Sequence, residues 1–278
     1  MRLRKNQLVF ASTDLSAHLS CQHLTSLNLR AAQGEFERPK AFGPVIERLR
    51  QKGIEHEQGY LEHLKDQYDQ VVELDDGATL EDSIAAMASG ADVIYQANLS
   101  NGHWDGYADF LIKVPTPSRF GPWSYEAQDT KLARTTRAGT ILQLCVYTML
   151  LEDLQGVQPA TMHVVPPSRD WETESYRVNE YGAYFRLLQR GIAEFTQDPA
   201  DTYPDLVPHC DLCPYWERCE AVRRGDDHLC YVAGIQTGHI QLLRDGGIDS
   251  LQAFADADEL PRPNRGRHET LLRLQAQA

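Results

Sequence analysis

Three charged side chains fall on segments that otherwise read as buried strand. Gly106-Tyr107-Ala108-Asp109-Phe110-Leu111 sets a carboxylate among aromatic and aliphatic residues, and Tyr125-Glu126-Ala127-Gln128-Asp129-Thr130-Lys131 follows with Asp129 and Lys131 two apart. Strand side chains alternate, so Asp129 and Lys131 point to one face. A hairpin-like approach of the two segments brings Asp109 beside Asp129. Two carboxylates with little compensating charge suit a divalent cation, whose preference is for hard oxygen donors. A lysine beside them can hold or activate a metal-side water, or stabilise charge developing on phosphorus. Read alone, D-x-K is more often a solvated edge pair than a site.

A second constellation is His209-Cys210-Asp211-Leu212-Cys213-Pro214-Tyr215-Trp216-Glu217-Arg218-Cys219, which contains C-x2-C-x5-C. Three thiolates within ten residues can wrap one metal centre but fall one short of a four-thiolate shell. Cys21 is the natural fourth; Cys230 or His209 would instead close a local zinc site. Cys145, inside an apolar run, and Cys230 read as small buried hydrophobes.

The elements that must position these residues follow from periodicity and punctuation. Short helix 15–19 follows the Ser12-Thr13-Asp14 caps, and a charged helix spans about 44–68. Val71–Leu74 reads as a strand, and Thr79-Leu80-Glu81-Asp82 as a capping box opening a helix to about Ala88. Strands 92–99 and 103–114 flank an Asn101-Gly102 turn, and 123–132 is a third strand. Apolar residues at helical spacing over 140–154 stop at Gly156. Strands at 161–165 and 174–178 and a helix over 181–195 complete the core. Residues 198–231 read as irregular, followed by two short helices around Asp245-Gly246-Gly247 and a helix at the end.

The chain has 278 residues and a formal net charge of −13. The charge is unevenly spread: residues 51–110 carry 2 basic against 13 acidic groups, residues 1–50 carry 8 against 4, and residues 111–150 carry 5 against 2. That division permits an acidic metal site beside a short basic track. Arg134 and Arg137, just beyond Lys131, suit phosphates or simple solubility equally. No apolar run reaches the roughly 18–20 residues that span a bilayer, and MRLRKNQLVF lacks the apolar core of a secretory signal. A cytoplasmic location with no membrane partner is expected.

The ordered set Gly-x-x-Asp, Asp-x-Lys and a following helix resembles the PD-(D/E)XK nuclease superfamily in its RecB-like branch. Two more motifs match: Gln143-Leu144-Cys145-Val146-Tyr147 fits Q-x-x-x-Y, and Gly53-Ile54-Glu55-His56 fits G-x-x-H. The resemblance covers about residues 8–225. It implies that Asp109, Asp129, His56 and the Thr130 carbonyl hold Mg²⁺ or Mn²⁺, that Lys131 positions the attacking water, and that Gln143 and Tyr147 contact substrate or brace the lysine. The motif's proline is absent, with Ala108 in its place. Glu126 should face away from Asp129 by strand parity, and Glu57, about 100° round the helix from His56, is expected on a solvated face.

The one-plus-three cysteines are similar to the iron–sulfur clasp of AddB and the CRISPR-associated RecB-like nucleases. By that resemblance Cys21, Cys210, Cys213 and Cys219 hold a [4Fe–4S] cluster, with zinc the alternative. The implied fold class is α/β: a restriction-endonuclease-like core, a mixed central sheet flanked by helices, with a Cys-rich clasp and a small C-terminal helical hairpin. The expected division is a nuclease domain over 1–225 and a helical appendage over 226–278, either a helix–hairpin–helix that would offer backbone N–H groups to phosphate or, at least as readily, a purely structural helical hairpin. The implied activity is metal-dependent hydrolysis of DNA, as an exonuclease on single-stranded ends, beside a helicase or repair and recombination partner. The alternative is a non-catalytic nucleic-acid-binding module of a repair complex.

Overall fold

The computed structural model describes residues 1–39, 44–75, 77–262 and 268–278. The chain divides into two units, Met1–Thr202 and Tyr203–Ala278. The first runs β1 (Arg2–Arg4), β2 (Gln7–Ala11), α1 (Asp14–Ser20), α2 (Gln22–Ala32), α3 (Pro44–Gln67), β3 (Val71–Glu73), α4 (Leu80–Ser89), β4 (Val93–Ser100), β5 (Trp104–Val114), β6 (Ser124–Thr130), α5 (Ala138–Gln155), β7 (Thr161–Val165), β8 (Glu174–Arg177) and α6 (Val178–Gln197). The eight strands form one mixed sheet, so the class is α/β as the sequence implied.

Local chemistry accounts for most boundaries. Helix α4 opens on a reciprocal capping box: Asp82 N–H donates to Thr79 Oγ1 at 3.2 Å, and Thr79 N–H to Asp82 Oδ2 at 2.8 Å. Helix α5 ends at Gly156, whose φ of +74° lies where a Cβ is disfavoured. The β4–β5 hairpin turns on Gly102 and His103, one residue later than the Asn101-Gly102 turn expected. Asn101 N–H still bonds the Trp104 carbonyl at 3.1 Å, and the Asn101 side chain takes the His103 and Trp104 N–H groups.

Three elements of the first unit, β1, β2 and α2, are not signalled in the sequence. Strands β1 and β2 form a hairpin through Lys5 and Asn6, both at positive φ (+49° and +64°), a turn conformation usually signalled by Asn-Gly. Helix α2 starts on Cys21, whose sulfur accepts the Leu24 N–H at 3.4 Å in place of a standard capping oxygen.

The core sits on both faces of the sheet. One face carries Ile94, Leu111, Tyr125 and Ala127 against Met87 of α4 and Leu144, Leu150 and Leu151 of α5. The opposite face packs Val93, Phe110 and Val165 against Tyr60, Leu61 and Leu64 of α3. Tyr60 meets Phe110 edge-on at 5.2 Å, a contact contributing about 0.5–1.5 kcal/mol beyond area burial.

Strand β5 organises the sheet. β4 lines one edge of it, from Asp105 to Ile112. The other edge is shared: β2 pairs in parallel at Trp104 and Asp105, and β6 pairs antiparallel from Phe110 to Val114. Residues 106–109 therefore lie in a gap between two strands on that edge, and Asp109 sits in it.

The second unit holds a 3-10 turn (Pro208–Leu212), α7 (Trp216–Gly225), a second turn (Leu229–Tyr231), α8 (Thr237–Asp245), α9 (Leu251–Ala255) and α10 (His268–Gln275). Its core is Leu229, Val232, Leu243, Ile248, Phe254, Leu271 and Leu274. The unit boundary at 202/203 differs from the expected 225/226, because Cys210, Cys213 and Cys219 fold with the C-terminal helices. Segment 210–225 is largely helical rather than irregular. Buried Arg223 bonds the Pro204 carbonyl at 2.8 Å, and His228 stacks on Tyr203 at 5.3 Å, tying the start of the unit to its middle.

The α8–α9 pair does not present free amides as a phosphate-binding hairpin would. Gln252 N–H donates to Asp227 Oδ2 at 2.7 Å, Ala253 N–H to Ser250 Oγ at 3.1 Å, and Leu251 N–H to the Asp227 carbonyl at 2.7 Å. The donors at the start of α9 are consumed inside the unit.

Candidate active site

The gap on β5 is where the charged residues meet. The β5–β6 ladder ends at Phe110↔Gln128, so Asp109 and Asp129 occupy the next rung without backbone pairing. Thr130 supplies the missing contact, donating its N–H at 3.0 Å and its hydroxyl at 3.1 Å to Asp109 Oδ2. Lys131, one residue beyond β6, forms an ion pair with Asp129 Oδ2. The parity expectation for Asp129 and Lys131 holds.

Asp129 is 0 % exposed, and its Oδ1 has no hydrogen-bond donor among the described residues. Burial, then the Asp109 charge, pushes its carboxyl well above the usual range, and Lys131 opposes both. Burial pulls the Lys131 ammonium down. The Asp129 and Asp109 charges outweigh that, so it ends above its ordinary value.

Behind this group stands α5. Gln143 Nε2 donates to the Tyr147 hydroxyl at 2.7 Å, and Ser12 Oγ donates to the same oxygen at 3.2 Å. Tyr147 is buried, and desolvation followed by the Asp129 charge raises its phenol. The ring fits because position 106 is glycine: a Cβ there would lie 2.8 Å from Tyr147 Cε1 and 3.2 Å from Ser12 Oγ. Gln143 and Tyr147 thus share one helix face as their i,i+4 spacing requires, and Gly106 and Ser12 join them.

Helix α3 brings two neighbours. His56 Nε2 faces the Val165 carbonyl at 3.3 Å, the oxygen that also accepts the Lys131 N–H at 3.1 Å. Its ring stacks on Trp171 at 5.2 Å. His56 therefore borders the site, but it does not stand with Asp109 and Asp129 as a three-ligand group; among the described residues no group of three or more His, Cys, Asp and Glu is gathered as a metal site.

Glu57 departs from its expected solvated face. Its carboxylate accepts the Tyr95 hydroxyl at 2.8 Å and the Gln96 side-chain amide. Burial, then the Asp109 charge, raises its carboxyl, while Tyr95, Gln96 and Lys131 lower it. An offset of 100° still falls within the apolar stripe of a helix packed flat on a sheet. Gln96 itself has φ of +57° and lies opposite Asp109 in β4, a costly conformation for a non-glycine residue. Its partner Glu57 could have been suspected from its adjacency to His56; Gln96 carried no signal.

Glu126 points away from Asp129, as parity requires. It is 6 % exposed and accepts from Ala160 N, Thr161 N and Thr161 Oγ1, with His163 Nε2 at 2.9 Å. Arg134 and Arg137 are exposed on the stretch between Lys131 and α5.

The donor set fits a hard cation: Mg²⁺ is commonly held by one or two carboxylates with substrate phosphate oxygens and water, and Asp129 Oδ1 is a buried oxygen with no donor of its own. His56 would have to release the Val165 carbonyl to join the shell. In the second unit, Cys210 lies in the 3-10 turn, Cys213 caps its end and Cys219 lies on α7; Cys21 belongs to the first unit. None of the six cysteines is in a disulfide.

No protein-family model matches the chain, and no curated protein matches it in sequence. No helix among the described residues is long and apolar enough to cross a membrane.

Proposed function

We propose that this chain is a metal-dependent nuclease that hydrolyses phosphodiester bonds of DNA, acting on single-stranded ends in repair or processing, in the manner of the RecB-like enzymes it resembles. The observation that carries the reading is the fully buried Asp129, paired to Lys131 and set beside Asp109 in a gap of the sheet. A buried carboxylate destabilises a fold unless something charged compensates it, and among the described residues this one pairs with the Lys131 ammonium alone.

Asp109 and Asp129 would hold Mg²⁺ or Mn²⁺ with the Thr130 carbonyl and, on rearrangement, His56. The ion would supply a lowered water pKa and neutralisation of phosphate charge. Thr130 fixes the Asp109 carboxylate by two hydrogen bonds. Lys131 keeps its proton in the grip of two carboxylates and so presents a permanent positive charge to an attacking water or a charged phosphorus centre. Tyr147 and Gln143 back Asp129 from the α5 side. Arg134 and Arg137 are placed for phosphates on the approach. Cys210, Cys213 and Cys219, with Cys21 as fourth, would carry a [4Fe–4S] cluster or zinc.

Digestion of end-labelled single-stranded DNA in Mg²⁺ or Mn²⁺, beside a binding assay in EDTA, tests the reading. Cleavage lost in EDTA supports it. Binding without cleavage in either metal would replace it with a non-catalytic nucleic-acid-binding module.

A further inference from the structure

A cavity of about 410 Å³ lies between α3, the strands β5 to β8 and residues 170–173. That is within the roughly 300–1,000 Å³ of small-molecule sites. Tyr60, His63, Tyr68 and Trp171 supply rings to its wall, and Gln128, His163, Thr173 and Ser175 supply amide, imidazole and hydroxyl groups. Its carboxylate is Asp170, and among the described residues no lysine or arginine lines it.

Trp171 is held there against its own backbone preference. Its φ is +54°, a costly conformation for a non-glycine residue that persists where the surroundings over-determine it. Those surroundings belong to α3. His56, Tyr60 and His63 recur at i, i+4 and i+7 on one helix face, with ring centroids 5.2, 5.4 and 6.0 Å from Trp171. Gly59 leaves the space, since a Cβ there would stand 3.1 Å from Trp171 Cη2. The polar groups are fixed as well. Gln128 Nε2 donates to the Tyr60 hydroxyl at 2.6 Å and to Thr173 Oγ1 at 3.3 Å. His163 stands between Glu126 Oε2 and Ser175 Oγ, 2.9 Å from each.

This lining selects a class of ligand. Phosphate contacts come from cationic side chains and free donors, and the permanent charge on this wall is the negative one of Asp170. An uncharged flat ring with donors and acceptors along its edge suits the rings and the polar groups together. That is the chemistry of a nucleobase, which aromatic side chains stack whatever its identity. The cavity also adjoins the candidate active site. His56 stacks on Trp171 and faces the Val165 carbonyl at 3.3 Å, the oxygen that accepts the Lys131 N–H at 3.1 Å.

We propose that this cavity receives one unstacked base of the single-stranded DNA substrate, stacked on Trp171, while the neighbouring phosphate lies at Lys131. The inference rests on the proposed function and names how that site holds its strand.

The test is run on the full chain in EDTA, so that it does not depend on cleavage. Deoxyadenosine should quench tryptophan fluorescence and saturate, whereas deoxyribose phosphate, which has no base, should not. An oligothymidylate should displace the deoxyadenosine, and a fully abasic strand of the same length should not. Trp171→Ala should weaken deoxyadenosine binding, read by calorimetry, about tenfold or more, the scale of one lost base–aromatic stack. Trp171→Phe should restore most of it. Ser175→Leu, at an exposed position of β8, fills the cavity from its other side and should weaken binding with the melting temperature unchanged, so a folding defect in Trp171→Ala would not decide the result. Absence of saturable deoxyadenosine binding to wild type, or binding unchanged in Trp171→Ala and Ser175→Leu, overturns the proposal. So does failure of oligothymidylate to displace the nucleoside, or equal displacement by the abasic strand. Nucleoside binding and displacement as expected, without cleavage in Mg²⁺ or Mn²⁺, overturns the nuclease reading and leaves the base pocket standing.

Discussion

Thr130 donates both its backbone N–H and its hydroxyl to one carboxylate oxygen of Asp109, at 3.0 and 3.1 Å. These bonds stand where the β5–β6 ladder would have continued. The strand that carries Asp129 and Lys131 is thereby tied to the strand that carries Asp109 through a side chain instead of a backbone rung, and the other Asp109 oxygen is left out of that link. The arrangement holds two carboxylates and an ammonium together without closing the gap between β2 and β6.

Lys131→Ala should reduce metal-dependent DNA cleavage about a hundredfold or more, the scale of removing one charge-stabilising group, and should also lower the melting temperature, because the buried Asp129 then loses the ammonium paired with it. Initial rates on labelled single-stranded DNA and a parallel thermal melt check this. Full activity would remove Lys131 from the chemistry.

Asp129→Asn should abolish cleavage and stabilise the metal-free protein. A carboxyl whose folded value is raised binds its proton more tightly in the folded state, so stability falls as pH rises from the ordinary carboxylate range through the raised value. Glu57 shifts in the same direction. Melting curves in EDTA across pH 4–8 (about the range over which carboxylates and their raised forms titrate) should show wild type losing stability with rising pH. Asp129→Asn should flatten that slope and gain roughly 2–4 °C at neutral pH for each kcal/mol relieved. A steeper slope in the variant would contradict it.

Gly106→Ala should cost about 1–3 kcal/mol, the usual penalty for overpacking, because the new methyl would meet Tyr147 Cε1 at 2.8 Å. Chemical denaturation of Gly106→Ala, Tyr147→Ala and the double variant measures it. The glycine penalty should largely vanish once the ring is gone, and additive effects would show that the methyl strains something else.

Asp227→Ala should destabilise the C-terminal unit by about 0.5–2 kcal/mol through loss of a helix cap and leave DNA affinity unchanged, since the donors at the start of α9 are used internally. Amide hydrogen exchange of residues 251–255 and a filter-binding titration read the two effects. A fall in DNA affinity would restore the phosphate-binding hairpin.

Cys21→Ala should lower the iron bound per chain and the melting temperature together, if Cys21 is the fourth thiolate. Iron analysis with a parallel melt decides, and unchanged iron would move the fourth ligand to Cys230 or His209.

Much of the site was readable before any coordinates. Asp109, Asp129 and Lys131 stood out because charge interrupts an alternating apolar pattern, and alternation put Asp129 and Lys131 on one face. Gln143 and Tyr147 came from the resemblance, and their i,i+4 spacing put them on one helix face. Glu57 is not legible from its helical angle, because the width of the buried face depends on what α3 packs against. Ser12, Gln96 and Trp171 carry no local signal, and Gly106 is legible only as the glycine of Gly-x-x-Asp, not as the space that admits the Tyr147 ring.

The division of labour has a physical basis. Periods of two and 3.6 residues, capping residues and turn glycines are local, so the sequence by itself determined the run of elements from α3 to α6 and put Asp129 and Lys131 on one face with Glu126 on the other, while leaving α/β and α+β both open. Which strands share an edge is decided by long-range packing. Only the tertiary structure decided that β2 and β6 divide one edge of β5 and leave Asp109 in the gap. It alone decided that His56 rests on Val165 and Trp171, and that Arg223 is buried one turn from Cys219.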